Sequence, residues 1–272
     1  MNSPDKNNAI GVFDSGLGGL TVVKELIRQL PHESVVYYGD TARVPYGTKS
    51  RESIIRFSHE NTQILLKRDV KMVVVACNTS SSYALVQLRK HFHLPIVGVI
   101  DPGARKAAEV TRNRKVGVIA TPATVNSRSY VKAIFHYDRA IQVSSQACPL
   151  FVPLVEEGWL HHHVTTAVAR EYLKSLQKVA IDTLVLGCTH YPLLRSVLKD
   201  VMGAKVVLVD SATEVAAEVK RILHDRQLLR PSSSSRGGGR RAQYSFLISD
   251  RPQQFEKTAR EFLGYNIKAV KI

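Results

Sequence analysis

At 272 residues, with 44% hydrophobic and 22% charged side chains, the chain has room for one large or two modest soluble domains. Three cysteines (Cys77, Cys148 and Cys188) without a CxxC pair or zinc-finger spacing exclude a disulfide framework, no apolar run approaches the roughly 20 residues of a membrane helix, and the polar Met1–Asn8 segment has no apolar signal region, so the expectation is a cytoplasmic protein with no membrane partner. A formal net charge of +15 raises nucleic acid as a partner, but the basic residues are scattered, often beside acids at helical spacing as in Lys24-Glu25-Leu26-Ile27-Arg28, and the dense cluster from Arg230 to Arg241 is rich in Ser and Gly. That pattern reads as a solvated surface with one basic loop, a surface that also favours approach of an anionic metabolite.

Short apolar runs alternate with amphipathic stretches along the chain. The pattern predicts a strand over Ala9–Phe13, a helix over Gly19–Leu30, a strand over Ser34–Tyr38 and a helix over Ser50–Arg68 with Ser50 as N-cap. It continues with strand Lys71–Ala76, helix Ser81–His91, strand Ile96–Ile100, helix Gly103–Thr111, strand Val116–Ala120, helix Val125–Phe135 and strand Ala140–Val143. Then come helix Val164–Gln177, strand Thr183–Leu186, helix Tyr191–Val201, strand Lys205–Val209 and helix Ala212–His224. The tail offers a strand at Tyr244–Ile248, a helix at Pro252–Phe262 and a last short strand. This alternation argues for an α/β protein with doubly wound, mainly parallel sheets.

The chain also repeats itself. Ile10–Gly16 is similar to Val116–Pro122, Val73–Thr79 to Leu184–His190, and Ile96–Asp101 to Val206–Asp210, at offsets of roughly 106 to 111 residues. Cys77 therefore has a twin in Cys188, each just beyond the end of an apolar strand. Ligands of open α/β sheets bind beyond the carboxyl ends of the strands. If the halves face each other about a pseudo-twofold axis, the two thiols approach one cleft from opposite sides. Two acid/base groups on opposite faces of one carbon are what inversion there requires, one removing a proton and the other delivering one.

A single cysteine after a valine run is most simply a small buried hydrophobe; the duplication favours chemistry, whereas Cys148 has no counterpart and reads as structural. A free thiol, with a pKa of about 8.5, needs help to work as a thiolate. Asp14, at the end of the first strand, and His190, two residues after Cys188, are the candidates. Gly16-Leu17-Gly18-Gly19 has the look of a phosphate loop and equally of a plain tight turn. His161-His162-His163 reads as solvated surface leading into a helix, and a zinc site of Cys77, Cys188 and His190 is conceivable by ligand type, although the surrounding hydroxyls and amides suit an amino acid better. No lysine stands in a recognisable Schiff-base context, which points away from pyridoxal.

Phe13–Leu20, Gly39–Gly47, Ala76–Thr79 and Gly187–Leu193 resemble, in order, the signatures of the bacterial glutamate racemases of the aspartate/glutamate racemase family, over about residues 10 to 220, with a weaker echo at Asp250–Phe255. The resemblance implies two flavodoxin-like domains related by a pseudo-twofold axis, residues 1–98 plus 211–272 and residues 99–210, with the active site between them. It implies a cofactor-independent, metal-free homodimer that makes D-glutamate for peptidoglycan with two thiols. Carried over by position, Cys77 and Cys188 are the acid/base pair, Asp14 assists Cys77, His190 assists Cys188, and Glu156, one of two adjacent acids, is a further acid of the site. Ser15, Asn78, Thr79, Thr124 and Thr189 hold the carboxylates and ammonium, and Pro45-Tyr46-Gly47 closes over the substrate. The Arg230–Arg241 loop departs from the family. An aspartate or hydantoin racemase remains an alternative, as does a nucleic-acid or regulatory binding protein on the same fold.

Overall fold

The computed structural model describes residues 5–231 and 241–272, so most of the basic Arg230–Arg241 cluster lies outside the described residues. The first half runs β1 (Ala9–Asp14), α1 (Leu20–Gln29), β2 (Val35–Gly39), α2 (Arg51–Leu66), β3 (Val70–Val75), α3 (Asn78–Tyr83), α4 (Leu85–His91) and β4 (Ile96–Gly98). The second runs α5 (Ile100–Val110), β5 (Lys115–Ala120), α6 (Pro122–Ser127), α7 (Ser129–Tyr137), β6 (Gln142–Ala147), α8 (Phe151–Glu156), α9 (His163–Val179), β7 (Thr183–Gly187), α10 (Arg195–Met202) and β8 (Val207–Asp210). The chain closes with α11 (Ser211–Asp225), β9 (Tyr244–Ile248), α12 (Pro252–Leu263) and β10 (Ala269–Lys271).

Two parallel sheets result, one ordered β10-β9-β2-β1-β3-β4 and the other β6-β5-β7-β8. β3 and β7 are buried along their whole length and β1, β2 and β5 nearly so, as helices on both faces demand; this is why these strands read as apolar runs. In the first sheet the chain passes from β1 to β2 on one side and later to β3 on the other. In the second it passes from β5 to β6 and then to β7. Each reversal leaves a crevice beyond the carboxyl ends of the inner pair, where no crossover helix covers the sheet. Asp14 and Cys77 border the first crevice, and Thr121 and Cys188 the second.

Several elements differ from expectation: α8 was not foreseen, and the helix expected over Tyr191–Val201 opens as a 3-10 turn, Tyr191–Leu194, before α10. The helix expected over Ser81–His91 begins at Asn78 and breaks at Ala84, because Ser81 Oγ and Ser82 Oγ donate to the carbonyls of Val75 (2.9 Å) and Asn78 (2.8 Å) and so tolerate a helical run of hydroxyls. The helix expected over Val125–Phe135 is two helices, parted by Arg128 in the left-handed region (φ 55°). The strand expected over Ala140–Val143 lies at Gln142–Ala147, a half-exposed edge strand whose Ser144, Ser145 and Gln146 hide it from a search for apolar runs. Ser50 caps α2 as expected, its hydroxyl accepting from Ser53 N–H at 3.3 Å.

Candidate active site

Asp14 ends β1 with no exposure to solvent. Its carboxylate accepts from Gly16 N–H at 3.0 Å and from Thr189 Oγ1 at 3.3 Å, and Gly19 N–H also bonds to it. The Gly16 amide is thus committed to a side chain of its own loop, and the buried Asp14 carboxylate there disfavours a phosphate. The spacing serves close approach: a Cβ on Gly18 would fall 2.2 Å from Thr189 Oγ1 and 2.6 Å from His190 Nδ1. Only glycine lets the turn after β1 meet the loop after β7. Burial raises the Asp14 pKa, against the opposing pull of His190 and of its hydrogen bonds.

Cys77 stands between β3 and α3, 5% exposed, and packs with Tyr46 and Phe57. Burial, reinforced by the charge of Asp14, pushes its thiol up to about 12, with Ser15 hydrogen-bonded to it in opposition. Tyr46 is held over it by a polar network from the loop after β2. The phenol donates to Asp40 Oδ2 and accepts from Asn61 Nδ2 at 3.0 Å. Arg43 Nε binds the same Asp40 oxygen at 2.6 Å, while its remaining donors reach Glu60 and, at 3.1 Å, Asn61 Oδ1. Ser249, from the segment after β9, donates to Asp40 Oδ1 at 3.1 Å. Pro45 precedes a short 3-10 turn, Tyr46–Thr48. A Cβ on Gly47 would fall 2.6 Å from Thr121 Cβ, so this loop lies directly on the second half of the molecule.

Hydroxyls and an amide fill the space around the thiol. Thr79 Oγ1 lies 3.0 Å from Thr121 Oγ1 and 3.2 Å from Thr124 Oγ1, a cluster drawn from both halves. Asn78 Oδ1 accepts from Tyr130 OH at 2.7 Å, whereas its buried Nδ2 has no partner among the described residues.

Cys188 follows β7 and is 7% exposed. His190 Nδ1 lies 3.9 Å from its Sγ, and His190 Nε2 lies 3.1 Å from Glu156 Oε1. Burial opposes a charge on this ring, but its hydrogen bonds and charge interactions with Cys188 and Glu156 prevail and raise it to about 10. Of the two adjacent acids, Glu156 is the one that reaches the histidine, because it ends α8 beside the loop after β7. A cleft of about 260 Å³, bordered by Gly16, Val44, Glu156 and Phe255, adjoins the turn after β1 and the acid that binds His190.

The structure thus brings Asp14, Ser15, Tyr46, Gly47, Asn78, Thr79, Thr124, Thr189, His190 and Glu156 around Cys77 and Cys188. It adds Thr121, Tyr130, Asp40, Arg43 and Asn61, which sequence reading missed. Thr121 was the most accessible of these, since it occupies in the second half the position of Ser15 in the first. Cys148 is fully buried, its Sγ 3.7 Å from Gln146 O, and its carbonyl accepts from Tyr191 OH at 2.8 Å, a structural setting. In the histidine run, His162 caps α9 by accepting from Val164 N–H at 3.3 Å. Lys71, at the far end of β3 from Cys77, binds Glu33 at 2.5 Å and the carbonyls of Lys6 and Leu228 at 2.8 and 2.9 Å. Among the described residues, no three His, Cys, Asp or Glu side chains converge as metal ligands. No described helix is long and apolar enough to cross a membrane.

Two buried thiols at matched switch points, one beside a carboxylate and one beside an imidazole–carboxylate pair, can move protons to and from one carbon. The Asp/Glu/Hydantoin racemase family model matches residues 10–219. A glutamate racemase of Geobacter metallireducens is 51% identical over 256 residues, covering 94% of this chain and 93% of the relative. Among solved structures, glutamate racemase isoform RacE1 from Bacillus anthracis superposes with a TM-score of 0.92 at 40% identity, covering 98% of each chain. The Francisella tularensis glutamate racemase in complex with D-glutamate gives 0.89 at 36% identity, covering 98% of this chain and 97% of that one. With site geometry, fold and sequence in agreement, this chain belongs to the Asp/Glu/Hydantoin racemase family.

Proposed function

We propose that the chain interconverts L- and D-glutamate by a two-thiol mechanism without metal or pyridoxal. The observation that carries this reading is the direct bond between the two catalytic loops: Thr189, next to Cys188, donates to Asp14, whose charge acts on Cys77. That bond supports placing the two thiols in one site. One thiolate takes the Cα proton, leaving a planar carbanion, and the opposite thiol returns a proton to the other face. Asp14 serves the Cys77 side and the substrate ammonium. His190, backed by Glu156, serves the Cys188 side. Ser15, Asn78, Thr79, Thr124 and Thr189 bind the carboxylates and ammonium, and the Pro45-Tyr46-Gly47 loop covers them.

On this reading residues 1–98 plus 211–272 form one domain and 99–210 the other, a division supported by the membership of the two sheets. The enzyme works in the cytoplasm as a homodimer and supplies D-glutamate for peptidoglycan; sedimentation of the purified protein checks the dimer.

The deciding experiment is racemisation in deuterated water. Because the returning proton comes from a thiol equilibrated with solvent, the newly formed enantiomer should carry deuterium at Cα at low conversion. The remaining substrate should stay largely protiated, from either direction. Comparable label in both pools would rule out two fixed thiols.

A further inference from the structure

Asn78 offers the site an amide, and an amide can present either of two opposite faces: a carbonyl acceptor or an NH₂ donor. Which face meets the substrate matters. A donor binds a carboxylate and an acceptor repels it. Asn78 cannot settle this alone, because its neighbour Cys77 and the hydroxyls of Thr79 and Thr124 do not hold its Oδ1.

Tyr130 does. It belongs to α7, in the half of the molecule that carries Cys188, and its phenol reaches across to donate to Asn78 Oδ1 at 2.7 Å. Both groups are buried, at 2% exposure each, so water cannot substitute freely for this bond. With Oδ1 engaged, Nδ2 is turned away from Tyr130. That nitrogen is buried and has no partner among the described residues, a costly arrangement unless its protons are meant for a ligand. Tyr130 is itself packed in place, since a Cβ on Gly103 would fall 3.3 Å from Ser211 Cβ, at the start of α11, and 3.5 Å from the Tyr130 ring and phenol oxygen. A Cβ on Gly187 would fall 3.1 Å from Tyr130 Cε2, so the ring also lies against the residue that precedes Cys188. One side chain therefore touches the neighbour of each thiol.

We infer that Tyr130 is a positioning residue: its phenol, reaching across from the half that carries Cys188, fixes the Asn78 amide with Nδ2 toward the substrate carboxylate. This rests on the two-thiol glutamate reading above and adds to it the residue that sets the polarity of the carboxylate site. Without the phenol, the amide can turn its carbonyl toward the carboxylate.

The test is a double-mutant cycle of Tyr130→Phe and Asn78→Ala, with steady-state kinetics from both enantiomers and thermal unfolding of every variant. Y130F removes one oxygen and keeps the ring. It should raise KM about tenfold, the size of one net hydrogen bond, while kcat changes by less than about threefold. The loss in kcat/KM should be equal for L- and D-glutamate, because enantiomers in water have equal free energies. In the N78A background the same substitution should change KM by less than about twofold, since no amide is left to orient.

A Y130F enzyme with wild-type KM overturns the inference. So does an undiminished penalty in the N78A background, which would mean that Tyr130 acts through something other than the amide. Should Y130F not fold, N78A alone still decides against the inference if its KM matches wild type. Failure of the wild-type protein to racemise glutamate overturns the proposed function, and with it the ligand for which Asn78 is oriented; this outcome differs visibly from an unaffected Y130F.

Discussion

Cys77 and Cys188 end equivalent strands of two like sheets, at equivalent switch points, and both are nearly closed off from solvent. Their neighbours differ in charge. Cys77 faces the carboxylate of Asp14, which together with burial drives its thiol up to about 12. Cys188 faces His190, a group held in its cationic form by Glu156 and by the sulfur itself. A duplicated backbone thus sets where the thiols stand, and residues that are not duplicated set the charge each one faces. For a reaction run in both directions, the two sides need not be chemically alike. It is enough that each has a polar partner within reach.

The bluntest way to break the comparison is to remove each thiol. Cys77→Ala and Cys188→Ala should each reduce racemisation by at least about a thousandfold in both directions, within the range expected for loss of a positioned acid/base group. Cys148→Ala should stay within about twofold of wild type, because that thiol only fills core beside Gln146. Circular dichroism of the reaction mixture reads all three. Substantial turnover in either of the first two variants would end the two-thiol reading.

A smaller effect should appear on the Cys77 side alone. Asp40→Asn weakens the network that holds Tyr46 against Cys77, at both the phenol and Arg43. Losing charge-assisted hydrogen bonds of this kind should cost about ten- to thirtyfold in kcat/KM. The Cα-deuterium isotope effect should rise more for the enantiomer that Cys77 deprotonates than for the other. Equal isotope effects in the two directions would show that the network stabilises the fold without favouring one thiol.

The complementary probe on the Cys188 side is Glu156→Gln. Removing this carboxylate lowers the His190 pKa, so any limb of the pH–rate profile set by loss of the His190 proton should move to lower pH, with a fall of roughly tenfold in kcat at the alkaline end. An unmoved limb would mean that His190 does not report in the rate.

How far the sequence carried this comparison depends on where each partner sits in the chain. The thiols were legible because a valine-rich strand ending in Ala76-Cys77-Asn78-Thr79 recurs as Leu186-Gly187-Cys188-Thr189. Asp14 and His190 were legible as titratable groups at strand ends. The Tyr46 network was not, since Asn61 projects from the middle of α2 and Ser249 from the far end of the chain. Tyr130 looked like one more aromatic on an amphipathic helix; nothing in its local spacing points 52 residues back to Asn78. The β6 strand was misplaced for the opposite reason, because an edge strand exposes the polar side chains that a search for apolar runs passes over. Local pattern gives strands and their ends, while contacts made across the interface of two sheets are invisible until the sheets are placed.

The smallest effect is on stability, and its sign follows from the His190 pair. In the folded chain the imidazole is raised from 6.5 to about 10, against the pull of burial, by Cys188 and Glu156. Between those values the folded state binds a proton that the unfolded chain has released, so stability must fall as pH rises. The contribution is therefore complete below about pH 6.5, shrinks through the alkaline range, and is gone once the pH passes the folded value near 10. Other groups titrate in the same window, so wild type alone cannot isolate it. His190→Asn keeps a planar polar side chain and removes the titration. Groups that do not interact with His190 contribute alike to both proteins and cancel in the difference. Urea unfolding from pH 6 to 10 should show wild type ahead at the acid end by on the order of 2 kcal/mol, with the gap closing steadily toward alkaline pH. A gap that stays constant, or widens with pH, would mean that the histidine is neutral in the folded enzyme. The contrast between an anionic partner at Cys77 and a cationic one at Cys188 would then be lost.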